Sequence, residues 1–201
     1  MVVIVDYGMG NLRSVQKALE RVGAQAVVTR DVRVIKDADR LVLPGVGAFA
    51  ECMRNLRDYG LVEPVIEVIR AGRPFLGICL GLQLLFDESE EFGIHEGLKL
   101  VPGRVRGFER KMGVKIPHMG WNRVFFSKES PFFRGIDDGS FFYFVHSYYV
   151  DPTDRADIAA ETEYGIRFTC AVQRDNIFAT QFHPEKSQEI GLKLLRNFTS
   201  A

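Results

Sequence analysis

Cysteine is scarce. Only three of the 201 residues are cysteine, and Cys52, Cys79 and Cys170 form neither an even disulfide framework nor a CxxC or Cys/His metal pattern. That usage suits reduced thiols and a cytoplasmic location. His95 and His118 have no Cys, Asp or Glu partners at ligand spacing, so no metal is expected. Long hydrophobic runs are also missing. The longest apolar stretch, Pro74 to Phe86, is interrupted by Gln83 and falls short of the ~18 residues a membrane span needs, which argues against a membrane protein. Nor is there an excess of charge of one sign: Lys and Arg number 26, as do Asp and Glu. With no surplus positive charge to neutralise phosphates, nucleic acid is not an expected partner.

What is present is a globular composition, 46% hydrophobic and 26% charged, which excludes disorder as the main state. Length and the lack of repeats or linkers predict one domain over residues 1–201. The N-terminal segment reaches Asp6 without a basic region and reads as a first β-strand, not a secretory signal. A helix is predicted over Asn11–Val22, strands over Ala24–Thr29 and Arg40–Leu43, and helices around Phe49–Asp58 and Leu61–Arg70. Pro74–Cys79 reads as a buried strand running into a helix over Leu80–Phe86. This alternation predicts an open α/β fold, a mostly parallel central sheet with helices on both faces. After Glu88 the strand-like segments Gly103–Glu109, Trp121–Phe126, Phe141–Val150, Asp157–Thr162, Phe168–Gln173 and Ile177–Phe182 predict added antiparallel strands, closed by a helix over Ser187–Phe198. The Phe141–Phe144 run reads as buried on both faces, and Cys52 and Cys170 as core thiols in a helix and a strand.

Chemistry concentrates at three points. In Gly77-Ile78-Cys79-Leu80-Gly81, glycines two before and two after a thiol permit the sharp strand-to-helix turn that lifts a nucleophile above a sheet. A helix N-terminus there favours thiolate, and the Leu80 N–H is directed at a developing oxyanion. A buried cysteine between packing glycines accounts equally well for this segment taken alone. The second point is His183-Pro184-Glu185. Two residues apart in an extended segment, a base and the carboxylate that orients it project to one side. Strand ends on one edge of an open α/β sheet converge, so Cys79 and His183 can meet there. Third, Pro44-Gly45-Val46-Gly47 follows a strand at the same edge and can present backbone N–H groups to an anion. Turning the Val46 N–H inward would strain a β-branched residue, so this hole is expected to be unformed at rest. Asp6-Tyr7-Gly8-Met9-Gly10-Asn11 has only two glycines of a nucleotide-binding turn and reads as a turn facing the same edge.

These pieces, in this order, resemble the class I, triad-type glutamine amidotransferases nearly end to end. With Pro117-His118-Met119-Gly120-Trp121-Asn122 and His183-Pro184-Glu185-Lys186-Ser187, the chain is similar to the branch formed by glutaminase subunits of imidazole glycerol phosphate synthases. The resemblance implies a flavodoxin-like amidotransferase fold, no cofactor, and hydrolysis of glutamine by Cys79, His183 and Glu185. It implies an oxyanion hole from Val46, Gly47 and Leu80, and glutamine held by Gly45, Gln83, His146, Ser147 and Tyr148. It further implies a heterodimer with a (β/α)8-barrel synthase subunit, which combines the ammonia with a phosphoribulosyl aminoimidazole carboxamide nucleotide. Asn11, Met119, Trp121 and Lys186 would face that partner, although Trp121, the sole tryptophan, suits a core anchor as well as a binding hot spot. Leu82 stands where Met is common, a volume-conserving change. Weak turnover alone and strong turnover with the liganded partner are expected. Two other readings stand beside this one: a glutaminase serving an anthranilate-type synthase, and a regulatory subunit inactive by itself.

Overall fold

A computed structural model of the protein describes residues 1–109 and 113–200. Its first half alternates strand and helix: β1 (Val2–Val5), α1 (Leu12–Arg21), β2 (Ala26–Thr29), α2 (Val32–Lys36), β3 (Arg40–Gly45), α3 (Phe49–Asp58), α4 (Val62–Arg70), β4 (Phe75–Cys79) and α5 (Leu80–Gln83). β1 is an unbroken β-branched run, buried throughout, as expected of a strand covered on both faces. In α3, Phe49, Cys52, Met53 and Leu56 are buried at a helical stripe's spacing, and Cys52 sits in it as a core thiol. α2 was not anticipated, because five residues give little more than one turn of periodicity. Asp31 starts it by accepting the Arg33 backbone N–H.

The second half contributes β5 (Glu88–Ser89), β6 (His95–Glu96), β7 (Gly103–Gly107), β8 (His118–Phe126), β9 (Ser140–His146), β10 (Tyr148–Pro152), β11 (Ile158–Tyr164), β12 (Ile166–Arg174), β13 (Ile177–Thr180) and α6 (Gln188–Ser200). Strands β2-β1-β3-β4-β13 lie side by side and parallel. β12, β10 and β7 extend this sheet antiparallel, while β11 links β12 to a ribbon formed by β8 and β9. Period-two alternation in β1 divides the interior. Val2 and Ile4 pack with residues of α1 and α6, and Val3 and Val5 pack with residues of α2, α3 and α4 on the other face. The expected class, a largely parallel sheet covered on both faces with antiparallel additions, is the observed one.

Three local expectations are corrected. Phe141–Val150 is not one strand: it breaks at Ser147 into β9 and β10, which pair with different neighbours. Phe141–Phe144 is not buried on both faces. Phe142 and Phe144 are buried, whereas Phe141 is 48% exposed, because only one side of the ribbon packs on the core. The helix after Cys79 ends at Gln83, where a turn replaces it through Phe86. With a single turn of aligned peptides, its macrodipole contributes less at Cys79 than the expected helix would.

Candidate active site

Register brings the chemistry together. Gly45 at the end of β3 is the partner of Cys79 at the end of β4, and Thr180 at the end of β13 pairs with Ile78. Three parallel strands therefore deliver residues 45–47, Cys79 and the segment after Thr180 to one edge, where open α/β sheets place their sites. Cys79 adopts φ +55 and ψ −107, a conformation that side-chain-bearing residues rarely hold. The flanking glycines serve a purpose other than positive φ, for neither adopts it. A Cβ on Gly81 would lie 1.8 Å from the Leu43 carbonyl oxygen, and one on Gly77 would lie 2.8 Å from the Gly81 oxygen. Absence of both side chains lets the turn seat against β3 and forces the unusual backbone onto the cysteine itself.

His183 and Glu185 do not project from an extended segment as anticipated. β13 ends at Thr180, and Pro184–Lys186 form a 3-10 turn headed by His183. That turn still joins the pair: His183 Nδ1 lies 2.8 Å from Glu185 Oε1, with both side chains buried. The backbone of His183 is clamped to the ribbon, its N–H donating to the Tyr143 carbonyl and its own carbonyl accepting from the Ser187 hydroxyl, which accepts in turn from the Tyr143 N–H. Burial disfavours the imidazolium, but the neighbouring Cys79 and then the hydrogen-bonded carboxylate of Glu185 outweigh it, and His183 is pushed up to about 10. The Nε2 of His183 is buried without a hydrogen-bond partner, while the Cys79 thiol donates to the Val145 carbonyl at 3.9 Å. The sulfur–imidazole hydrogen bond is thus open in this structure, as such bonds often are without substrate.

A cavity of about 370 Å³ opens over these groups, a size suited to a small metabolite. Val46, Gly47, Cys79, Leu80, Gln83, His146, Ser147, Tyr148 and His183 of the anticipated residues line it. Gly45 does not. A Cβ there would meet the Tyr7 hydroxyl at 2.6 Å and Leu80 Cβ at 2.8 Å, so this glycine allows close packing behind the wall. The positive φ in this loop belongs to Gly47, at +97, and not to Val46, whose strained conformation is not adopted. Leu80 begins α5, so its N–H is one of the unpaired donors of a first turn. Sequence reasoning missed Glu91, the one carboxylate among the cavity-lining residues, and Val145. Glu91 lies in the irregular stretch between β5 and β6, where no periodicity announces an inward side chain. Among the described residues no group of three or more His, Cys, Asp and Glu could hold a metal ion, and no helix is long and apolar enough to cross a membrane.

Of the residues anticipated at a partner surface, Met119 and Trp121 share the outer side of β8 and are 62% and 46% exposed. The exposure decides against a core role for Trp121. Its ring meets Tyr143 edge-on at 6.1 Å, and the Lys186 ammonium lies over that same tyrosine at 5.8 Å. Asn11 lies at the N-terminus of α1.

Similarity to known proteins follows the same lines. The profile of the family "Glutamine amidotransferase class-I" matches residues 3–201. The chain is 58% identical to the "Imidazole glycerol phosphate synthase subunit HisH" of Syntrophotalea carbinolica, covering 98% of each chain. It is 55% identical to the protein of that name in Aquifex aeolicus, over 98% of this chain and 94% of the other. Among solved structures, one described as "Crystal structure of glutamine amidotransferase" superposes with a TM-score of 0.77 at 20% identity, covering 100% of this chain and 98% of that one. "Structure of PurLQS from Thermotoga maritima" gives 0.75 at 17% identity, covering 99% and 97%; both establish likeness of fold.

Proposed function

This chain belongs to the class-I glutamine amidotransferase family, and on that premise we propose that it is the glutaminase subunit of an imidazole glycerol phosphate synthase in histidine biosynthesis. It releases ammonia from glutamine for a separate (β/α)8-barrel subunit. The observation that carries the reading is the meeting, on one cavity, of a cysteine on a strained strand-to-helix turn with a buried His–Glu pair.

The geometry supports the following course. His183 accepts the thiol proton, and the Cys79 sulfur attacks the carboxamide carbon of glutamine. The tetrahedral oxyanion is met by the Leu80 N–H and the Val46–Gly47 backbone, donors aimed at charge that develops only in the transition state. Collapse expels ammonia, which takes the proton held on His183 and leaves a glutamyl thioester on Cys79. Water then attacks with His183 as base, giving glutamate and the free thiol. Glu185 holds the imidazole in orientation and stabilises its charged form. Glu91 has the charge to receive the substrate's α-ammonium group, and Gln83, His146, Ser147 and Tyr148 complete the wall. Ammonia released into neutral water becomes mostly ammonium, which has no lone pair for attack, so delivery favours a bound partner. The exposed Met119, Trp121 and Lys186 supply a surface for it, with Asn11 as a further contact.

The test is glutamate formation from glutamine by this chain with and without the barrel subunit and that subunit's nucleotide ligand. Weak turnover alone, strong turnover with the liganded partner and loss of both in Cys79→Ala are expected. Wild-type turnover retained by Cys79→Ala would overturn the mechanism, and turnover indifferent to the partner would overturn the assignment to this synthase.

A further inference from the structure

The carboxamide of Gln181 is completely buried beside Cys79, and no step above uses it. Its direction follows from one backbone atom. The Tyr148 carbonyl oxygen is an acceptor only. Gln83 approaches it at 3.1 Å and must therefore present its NH2 group there. The same nitrogen lies 3.0 Å from Gln181, which must answer with Oε1. Gln181 is thereby turned so that Nε2 faces the Cys79 sulfur at 3.6 Å.

The Tyr148 carbonyl is held from its other side by a second chain of fixed polarity. Asn122 Oδ1 accepts the Arg123 backbone N–H at 2.8 Å, which leaves Asn122 Nδ2 to donate to the Glu163 carbonyl and to His118 Nε2, 3.2 Å away. Burial holds His118 and His146 neutral, lowering them to about 4 and about 3. A neutral His118 that accepts at Nε2 carries its proton on Nδ1, 2.8 Å from His146 Nε2. His146 then carries its proton on Nδ1 and donates to the Tyr148 carbonyl at 2.8 Å. Every donor meets an acceptor in one sense only: a reversed Gln181 would set its NH2 group against that of Gln83, and a Gln83 reversed with it would set oxygen against the Tyr148 carbonyl oxygen, which His146 already fills from its own side.

We propose that Gln181 positions the Cys79 sulfur and stabilises its anionic form, through an amide N–H whose direction is imposed by the Tyr148 carbonyl by way of Gln83. The inference rests on the reading of Cys79 as the nucleophile. A donor aimed at sulfur favours thiolate over thiol, since a charge-assisted hydrogen bond is stronger than a neutral one. It also draws the sulfur toward the buried Gln181 side chain.

Iodoacetamide alkylation of Cys79 in the full chain, followed by mass spectrometry of its peptide across a pH series, tests this directly. Gln181→Met keeps the side-chain length and removes the donor. The rise of alkylation rate with pH should move about one unit higher, making Cys79 roughly tenfold slower at neutral pH. Gln181→Glu, which sets a carboxylate against the sulfur, should move it further. Thermal unfolding is measured on each variant. A merely structural role would lower the melting temperature and leave the pH profile in place, and that result overturns the proposal. Should the Gln181 variants not fold, Gln83→Leu decides: freeing Gln181 from its orienting partner shifts the profile upward if the proposal holds and leaves it unmoved if not. Failure of the glutaminase reading looks different, with no glutamate formed by the partnered wild-type chain whatever the alkylation profiles. Glutamate formation with unshifted profiles would instead retain the function and remove the role of Gln181.

Discussion

His118 donates through Nδ1 to Nε2 of His146 across 2.8 Å, one buried neutral imidazole orienting another. Unfolded, both rings titrate near 6.5; folded, burial keeps them neutral down to about 4 and about 3. Below 6.5 the unfolded chain thus binds two protons that the native chain does not. Their contribution to stability is complete above 6.5 and is lost as the pH falls through about 4 for His118 and about 3 for His146. Below 6.5, where His183 is charged in the folded and the unfolded chain alike, urea unfolding at pH 6, 5.5 and 5 should show this decline, and His118→Gln should reduce its slope by about one proton. An identical slope in that variant would remove His118 from the account.

The backbone of Cys79 gives a prediction about stability independent of sulfur chemistry. At φ +55 and ψ −107 any side chain is strained, so Cys79→Gly should be more stable than Cys79→Ala by about 1 kcal/mol, although glycine ordinarily loses to alanine. Denaturant melts of the two variants make the comparison. Alanine ahead of glycine would mean the turn relaxes once the thiol is gone.

Removing the charge on Glu185 should act on turnover more than on binding. Glu185→Gln keeps the shape but withdraws the carboxylate that holds His183 in its charged form. With the liganded partner, kcat for glutamine should fall about 100-fold or more while KM changes little. A rise in KM at constant kcat would make Glu185 part of the substrate wall.

For Trp121→Ala, the expected loss lies in association. The ring is 46% exposed and rests against Tyr143. Its truncation should weaken binding of the barrel subunit by about 2 kcal/mol, roughly 30-fold in Kd, and leave the melting temperature of the free chain almost unchanged. Calorimetric titration reads the first and a thermal melt the second.

Legibility in the sequence tracked regularity. α3 could be read from Phe49, Cys52, Met53 and Leu56 because one helical face carries the whole signal, and the turn at Cys79 from the two glycines that bracket it. α5 could not be measured, since every residue from Leu80 to Phe86 is buried and burial without a stripe has no length marker. The aromatic run at Phe141 suggested a strand covered on both sides because Phe141 and Tyr143 belong to the exposed face with Trp121. Among the residues around the cavity, Cys79, His183 and Glu185 stood out as reactive types at element junctions. Glu91 and Gln181 did not, for their roles come from where the remote Tyr148 wall and β4 place a cavity, and local spacing carries no trace of that.

Gly81 has a mechanical meaning as well. With no room for even a methyl group above the Leu43 carbonyl, the turn that carries the sulfur is wedged into the sheet and can move only as β3 and β4 move. His183 is tethered differently, through Tyr143 and Ser187, to a two-stranded ribbon. The sulfur is thus held by the sheet alone, whereas the imidazole, though its chain continues from β13 of the same sheet, is tied to the ribbon as well. Their alignment is a property of how the ribbon seats on the sheet, and substitutions along that seam should change the reach between sulfur and imidazole without touching either residue.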